Sequence, residues 1–228
     1  MKRISLIVPC LNEEEAIPAF KQEIDRVFKE CLEGYAPELI FVDDGSTDRS
    51  LEMIKKMAEH SPEVKFISFS RNFGKEAAIY AGLEAATGDY AAVMDVDLQD
   101  PPSLLPDMLK AIEKEGYDCA GTRRVTRQGE PLLRSFFARA FYKTIHQISD
   151  TRIVDGARDY KLMTRPVLEA LLSLKEYNRF SKGLYEWVGF RTKWFEYENV
   201  ERVAGETKWS FFKLFLYSIE GIVAFSTA

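Results

Sequence analysis

A mainly parallel, doubly wound α/β fold is the architecture that this 228-residue sequence predicts. Three observations carry the expectation. Short, nearly uninterrupted apolar runs of strand length recur through the first half of the chain. Amphipathic segments of helix length separate them, and polar residues follow each run instead of interrupting it. Strands buried on both faces read as continuous apolar runs, and helical crossovers between them imply parallel pairing.

In chain order the expected strands are 4–8, 39–42, 64–69 and 90–94, with a weaker one at 117–121. The expected helices 16–32, 50–58, 75–86 and 103–114 lie between them and carry apolar residues at helical spacing. Beyond Gly121 the alternation fades. A basic stretch leads into a helix-like segment at 132–148, followed by a short strand at 160–163, a helix at 167–174, a segment bounded by glycines at 183–189 and a strand at 194–197.

Composition narrows the function classes. With 46% hydrophobic and 29% charged residues and a mean hydropathy of -0.22, the chain is that of a globular protein with a packed core, not a disordered or polytopic membrane protein. The 31 Lys and Arg residues against 36 Asp and Glu give a net charge of -5. That balance argues against a surface built for nucleic acid, so no nucleic-acid partner is expected and any basic site is local. Cys10, Cys31 and Cys119 are far apart and show no metal-ligand spacing. The first apolar run is too short for a signal-peptide core, and no uncharged apolar stretch reaches the roughly 18 to 20 residues of a membrane span. A cytoplasmic chain is therefore expected.

Ligands of open α/β sheets bind beyond the carboxyl ends of the strands, and the polar residues of this chain gather there. Pro9, Asn12 and Glu13 accompany the end of the first strand. Asp43, Asp44, Gly45 and Ser46 follow the second, Ser70, Arg71, Asn72, Gly74 and Lys75 the third, and Asp95, Asp97, Gln99 and Asp100 the fourth. One site at one rim of the sheet is expected.

The run Asp95-Val96-Asp97-Leu98-Gln99-Asp100 sets carboxylates at alternate positions where a buried strand ends. Hard cations such as Mg²⁺ or Mn²⁺ take oxygen ligands and keep positions for water and substrate phosphates, so such a pair suits a metal held between protein and diphosphate. Isolated, the pattern also occurs by chance in polar loops; its place after a strand favours the metal. Asp43 to Asp48 reads equally as a turn with a helix cap or as a group of acceptors for a base or ribose. Lys75, after Gly74 at a helix start, reads either as a phosphate contact or as a solvated lysine.

Between Arg123 and Lys143 six basic residues, Arg123, Arg124, Arg127, Arg134, Arg139 and Lys143, face a single acidic one, Glu130. Arginine binds phosphate oxygens bidentately, so phosphate recognition is the functional reading. The segment 209–219 confines Ser210, Lys213 and Tyr217 to one narrow stripe and is otherwise apolar, which suits a membrane interface, a core or an oligomer contact. His60 and His146 lack nearby partners for a metal.

The ordered set of motifs resembles family 2 glycosyltransferases, specifically the polyprenyl-phosphate group that includes bactoprenol glucosyltransferases and dolichyl-phosphate mannose synthases. It is carried by Val8-Pro9-Cys10-Leu11-Asn12-Glu13, Asp43-Asp44-Gly45-Ser46, Ser70-Arg71-Asn72-Phe73-Gly74-Lys75, Asp95 to Pro102 and Arg202 to Trp209, so it spans nearly the whole chain. The resemblance implies a GT-A fold, a nucleotide-sugar donor, Mg²⁺ or Mn²⁺, a polyprenyl-phosphate acceptor and inversion at the anomeric carbon. It places Pro9, Glu13, Asp44 and Asp95 around the nucleotide and Asp97 and Gln99 at the metal. Arg123 and Arg134 match positions for the acceptor phosphate, and Arg202 and Lys208 belong to a later motif near both substrates. In Gly156 to Met163 it puts Asp159 at a catalytic carboxylate, although Tyr160 and Lys161 depart from the Phe and Arg of that motif.

The expected site therefore comprises Asp159, Asp97, Arg123 and Arg134 as catalytic groups. Its donor-binding groups are Pro9, Asn12, Glu13, Asp43, Asp44, Ser46, Lys75, Asp95, Arg202 and Lys208. Asp97 and Gln99 are the metal ligands. Residues 1–208 are expected to form the catalytic domain, and 209–228 a juxtamembrane helix leading into transmembrane helices beyond Ala228, at the cytoplasmic face of the membrane. UDP-glucose is the favoured donor, and a homo-oligomer is compatible. Two other readings stay open: a glycosyltransferase with a soluble or polysaccharide acceptor, and a nucleotide-sugar-binding module without catalysis.

Overall fold

The computed structural model describes residues 1–124, 154 and 156–197. The expected helix at 132–148, the segment 209–228 and residues Arg134, Arg202 and Lys208 lie outside them. The described strands are β1 (Lys2–Cys10), β2 (Tyr35–Asp43), β3 (Val64–Ser68), β4 (Tyr90–Val93), β5 (Cys119–Arg124), β6 (Ala157–Thr164) and β7 (Thr192–Tyr197). They form one sheet in the order β3-β2-β1-β4-β6-β5-β7. All pairings are parallel except those of β6, which runs antiparallel to both β4 and β5.

The first strands were expected to be buried on both faces; β1, the second half of β2 and β4 are, but β3 is not, because it lies at the sheet edge and leaves Lys65, Phe66 and Ser68 exposed. Ile4, Leu6 and Val8 of β1 point into one core while Ile7 points into the other. Helices α1 (Ile17–Cys31), α2 (Ser50–His60) and α4 (Leu105–Glu115) cover the first face; α3 (Lys75–Ala85), α5 (Arg165–Ser173) and α6 (Ser181–Trp187) cover the second. A short 3₁₀ turn, Pro102–Leu104, leads into α4.

Local chemistry explains the element ends. In α1, proline in the first turn is pre-organised for a helix, and Ile17, Phe20, Ile24, Val27 and Phe28 recur at helical spacing on the buried side. Phe20 meets Phe41 of β2 edge to face, with ring centroids 6.2 Å apart. Helix α3 is different: it lies so close to the sheet that a Cβ on Gly82 would stand 2.3 Å from Cγ2 of Ile7 and 3.2 Å from Cγ2 of Val42. Glycine weakens a helix interior by roughly 1 kcal/mol relative to alanine, and here the close approach of α3 to β1 requires it.

The amino-terminal edge of the sheet holds a buried polar knot. Glu38 of β2 accepts hydrogen bonds from the Ser5 hydroxyl, from Lys65 Nζ at 2.6 Å, and from the Thr87 hydroxyl and amide at 2.6 and 2.9 Å. Burial alone would raise its pKa, but these donors outweigh it and bring it down to about 2. The knot joins β1, β2, β3 and the turn before β4 at the edge opposite the polar rim.

Candidate functional site

Strand register builds the rim. Cys10 of β1 pairs with Asp43 of β2, and Asp43 pairs with Ser68 of β3. The Asp44 amide then donates to the Cys10 carbonyl at 2.8 Å, and the Met94 amide to the Ile7 carbonyl at 3.0 Å. Residues 11–15, 43–50, 69–74 and 94–100 consequently leave the sheet at one edge, as their polar character predicts.

The loops after β1 and β2 are stitched together. Asn12 Oδ1 accepts from the Thr47 amide at 2.7 Å, and the Asn12 amide donates to Ser46 Oγ at 2.9 Å. The Glu13 amide donates to Ser50 Oγ at 2.7 Å, and Glu14 Oε2 accepts from the Arg49 amide at 2.9 Å. Asn12 itself adopts φ 52°, a left-handed conformation that asparagine tolerates. Between these loops Asn12, Glu13, Glu14, Glu15 and Asp48 line a cavity of about 150 Å³. That volume is below the few hundred Å³ of a typical small-molecule site.

Asp43 and Asp44 are both buried. Asp43 ends β2, with the Ser46 amide 3.4 Å from its Oδ1. Asp44 accepts from the Phe73 amide at 2.7 Å through Oδ1 and from the Gly74 amide at 3.0 Å through Oδ2, which fixes the loop that starts α3. Burial raises the Asp44 pKa, partly opposed by these two amides. Gly45 has φ +73°, and a Cβ there would lie 2.6 Å from the Arg71 carbonyl carbon, so the two loops pack backbone to backbone.

The loop after β4 carries the alternate carboxylates. Asp97 is 5% exposed, and its Oδ1 accepts from the Gln99 amide at 3.1 Å. Between them Leu98 takes φ 57°, a conformation uncommon outside glycine whose cost, of order 1 kcal/mol or more, is typical of functional loops. Asp97 and Gln99 carry side-chain oxygens of the hard type that Mg²⁺ or Mn²⁺ takes, a cation that commonly completes its coordination with water and substrate phosphates. Among the described residues no three His, Cys, Asp or Glu side chains converge as a self-sufficient metal cage. Asp100 is also buried; its Oδ1 accepts from Arg158 Nε at 3.0 Å and from the Tyr197 hydroxyl.

Strand β6 supplies the remaining groups through its reversed direction. Val93 of β4 pairs with Lys161, so two residues beyond the end of β4 Asp95 stands level with Asp159. Lys75 Nζ bridges them, 2.6 Å from Asp95 Oδ1 and 2.5 Å from Asp159 Oδ2. Lys182 Nζ of α6 approaches Asp159 Oδ1 at 3.8 Å. Burial by itself would raise the pKa of Asp159, but Lys182 and Lys75 hold it well below the usual carboxylate range. Burial disfavours the Lys75 ammonium too, and Asp159 and Asp95 reverse the effect, pushing its pKa up. Both partners of the Lys75–Asp159 pair are therefore charged at neutral pH.

The structure brings Asn12, Ser46, Asp43, Asp44, Lys75, Asp95, Asp97, Gln99 and Asp159 to the expected rim, with Glu13 in the adjoining loop and Pro9 in the last turns of β1. Arg123, near the end of β5, is paired with Glu196 of β7, its Nε 3.0 Å from Oε1. Sequence reasoning missed Lys182, whose neighbourhood on α6 has no motif. It also missed the tie from Asp100 to Arg158 and Tyr197; Asp100 and Arg158 lie inside quoted motifs, but only the sheet order joins them.

Residues 5–172 match the family model described as Glycosyl transferase family 2. The chain is 44% identical over 223 residues to the putative glycosyltransferase CsbB of Bacillus subtilis, covering 98% of this chain and 67% of that protein. It is 42% identical over 225 residues to the bactoprenol glucosyl transferase of Shigella phage SfV, covering 99% of this chain and 72% of the phage protein. Among solved structures it is similar to the Pyrobaculum calidifontis mannosyltransferase PcManGT bound to GDP-Man and Mn²⁺, at TM-score 0.58 and 21% identity over 90% of this chain and 58% of that one. A Mycobacterium tuberculosis glucosyl-3-phosphoglycerate synthase with Mn²⁺ and UDP-Glc gives TM-score 0.59 and 20% identity over 97% and 77%. At these identities the structural likeness speaks for the fold.

Proposed function

The chain belongs to glycosyl transferase family 2, and on that premise we propose that it transfers glucose from UDP-glucose to a polyprenyl phosphate at the cytoplasmic face of a membrane. The observation that carries the reading is that the loop holding Asp97 and Gln99 leaves the sheet at the same rim as the Asp95–Lys75–Asp159 chain, in a chain 42% identical to a bactoprenol glucosyl transferase. A metal-diphosphate and a second anionic substrate are the chemistry such a rim serves.

The reaction is a single displacement. A phosphate oxygen of the acceptor forms a bond to the anomeric carbon as the bond to the donor diphosphate breaks, its electron pair leaving with the nucleoside diphosphate and the configuration inverting. Asp97 and Gln99 would hold Mg²⁺ or Mn²⁺, which when bound supplies Lewis-acid stabilisation of the departing diphosphate. Pro9, Asn12, Glu13, Asp43, Asp44, Ser46 and Asp95 shape the donor side, and Arg202 and Lys208 are further donor-binding residues. Arg123 and Arg134 position the acceptor phosphate, Arg123 exchanging its partner Glu196 for the ligand. Effective positioning of two reactants is itself a large part of such catalysis. Residues 1–208 form the catalytic domain and 209–228 the membrane-interface helix in this reading.

Thermal stabilisation tests the donor half. Bound ligand raises the unfolding midpoint by mass action, so UDP and UDP-glucose with Mn²⁺ or Mg²⁺ are expected to raise it more than GDP and GDP-mannose, and EDTA to abolish the rise. No rise with any nucleotide would remove the basis of the donor site.

A further inference from the structure

We propose that Lys182 of α6 is a phosphate-recognition residue of this site, held beside Lys75 by Asp159 acting as their shared counter-ion. The inference rests on the glycosyl-transfer reading and gives Asp159 a different task within it from accepting a proton. Both oxygens of Asp159 face ammonium groups, Oδ2 at 2.5 Å from Lys75 and Oδ1 at 3.8 Å from Lys182. A carboxylate engaged on both sides by cations is poorly placed to take up a proton. Nor is one needed, since a phosphate monoester with a second pKa near 6 is already anionic at neutral pH.

The two lysines differ in what they have left to offer. Lys75 makes short contacts to Asp95 and Asp159. At 3.8 Å the Lys182 contact is Coulombic and beyond hydrogen-bond range, so Asp159 uses none of its three N–H donors. The Lys182 side chain is 21% exposed, enough for a ligand to reach it.

Helix α6 does not depend on Lys182 for its place. Glu76 of α3 accepts from the Ser181 amide at 3.0 Å and from the Ser181 hydroxyl, pinning the start of α6. Four residues on from Lys182, Glu186 accepts from the buried Lys161 of β6 at 3.1 Å, and that ammonium also stands 4.8 Å from the Tyr185 ring centroid and 5.2 Å from that of Trp194. With both ends of the helix anchored, the long Lys182–Asp159 contact is left to organise charge.

The test is calorimetric binding of two probes to the 228-residue chain and to its Lys182→Met and Lys182→Arg variants: UDP with Mg²⁺, and a short-chain polyprenyl phosphate in detergent micelles. Lys182→Met is expected to weaken one probe about ten- to hundredfold, the range of a lost charged hydrogen bond, while Lys182→Arg stays close to wild type. Loss of UDP binding assigns Lys182 to the donor diphosphate, and loss of polyprenyl-phosphate binding assigns it to the acceptor. Wild-type affinity of Lys182→Met for both probes would overturn the proposal. So would a loss accompanied by a fall of more than about 5 °C in unfolding midpoint and not rescued by arginine, which would make Lys182 structural. A wild-type chain that binds neither probe would instead bring down the glycosyl-transfer reading and the proposal with it.

Discussion

Replacing Asp44 by asparagine keeps the shape of the side chain and changes one atom that matters. In the native loop Oδ1 lies 2.7 Å from the Phe73 amide nitrogen and Oδ2 lies 3.0 Å from that of Gly74, with both amides donating. An asparagine can present its oxygen to Phe73, but its NH₂ then faces the Gly74 N–H, which loses the 3.0 Å bond to Oδ2 and keeps only the longer 3.3 Å contact at the Oδ1 position. Asp44 is only 4% exposed, so water cannot readily rescue the displaced amide. Losing a hydrogen bond to a charged acceptor costs about 1.5–3 kcal/mol, and here the shorter of the two Gly74 contacts is the one lost. The Gly74 amide opens α3 immediately before Lys75, so the same change should loosen the Lys75 bridge between Asp95 and Asp159. Urea unfolding of Asp44→Asn is expected to show roughly 2 kcal/mol less stability than wild type, and UDP affinity to fall with it. Stability within about 0.5 kcal/mol of wild type would refute the view that this carboxylate holds the 73–74 loop.

Two further outcomes test the scaffold. Gly82→Ala raises helix propensity, yet its Cβ would collide with Ile7 at 2.3 Å; a net loss of about 1–3 kcal/mol is expected in urea unfolding, as for an overpacked core, and a gain would contradict the close approach of α3 to β1. Glu38 has a folded pKa of about 2 against an ordinary value of 4.5. A depressed carboxylate stabilises fully above its unfolded pKa and loses that contribution as pH falls through the folded one. Wild type should therefore lose about 3 kcal/mol between roughly pH 4.5 and 2 from this group, and Glu38→Gln should show a correspondingly shallower acid dependence in denaturant midpoints; parallel profiles would count against the buried knot.

Much of the site was legible because its residues sit where buried strands stop. Asp43 and Asp95 each follow an apolar run directly, with Asp44 and Asp97 one and two residues further on, and parallel pairing then leaves them no other edge. The direction of β6 was not legible: a strand buried on both faces has the same apolar pattern whichever way it runs, and 160–163 shows only part of Ala157–Thr164. That reversal is what sets Asp159 level with Asp95. Helix α6 was read only as a segment at 183–189, because seven residues barely complete two turns and give little periodicity. Lys182 thus acquires meaning only through Asp159, a partner 23 residues away in sequence on a neighbouring element. Asp100 similarly owes its buried position to Arg158 and Tyr197, both far along the chain.

The central claim is transfer of a sugar to a lipid phosphate by a metal-assisted site around Asp97. It is tested most directly by incubating the chain with radiolabelled UDP-glucose, polyprenyl phosphate and Mg²⁺ or Mn²⁺ and measuring label extracted into the lipid phase. Labelled lipid is expected with wild type, and is expected to disappear with EDTA and with Asp97→Asn while the variant keeps its folded unfolding midpoint. Full transfer by wild type in EDTA, or by Asp97→Asn, would contradict the account.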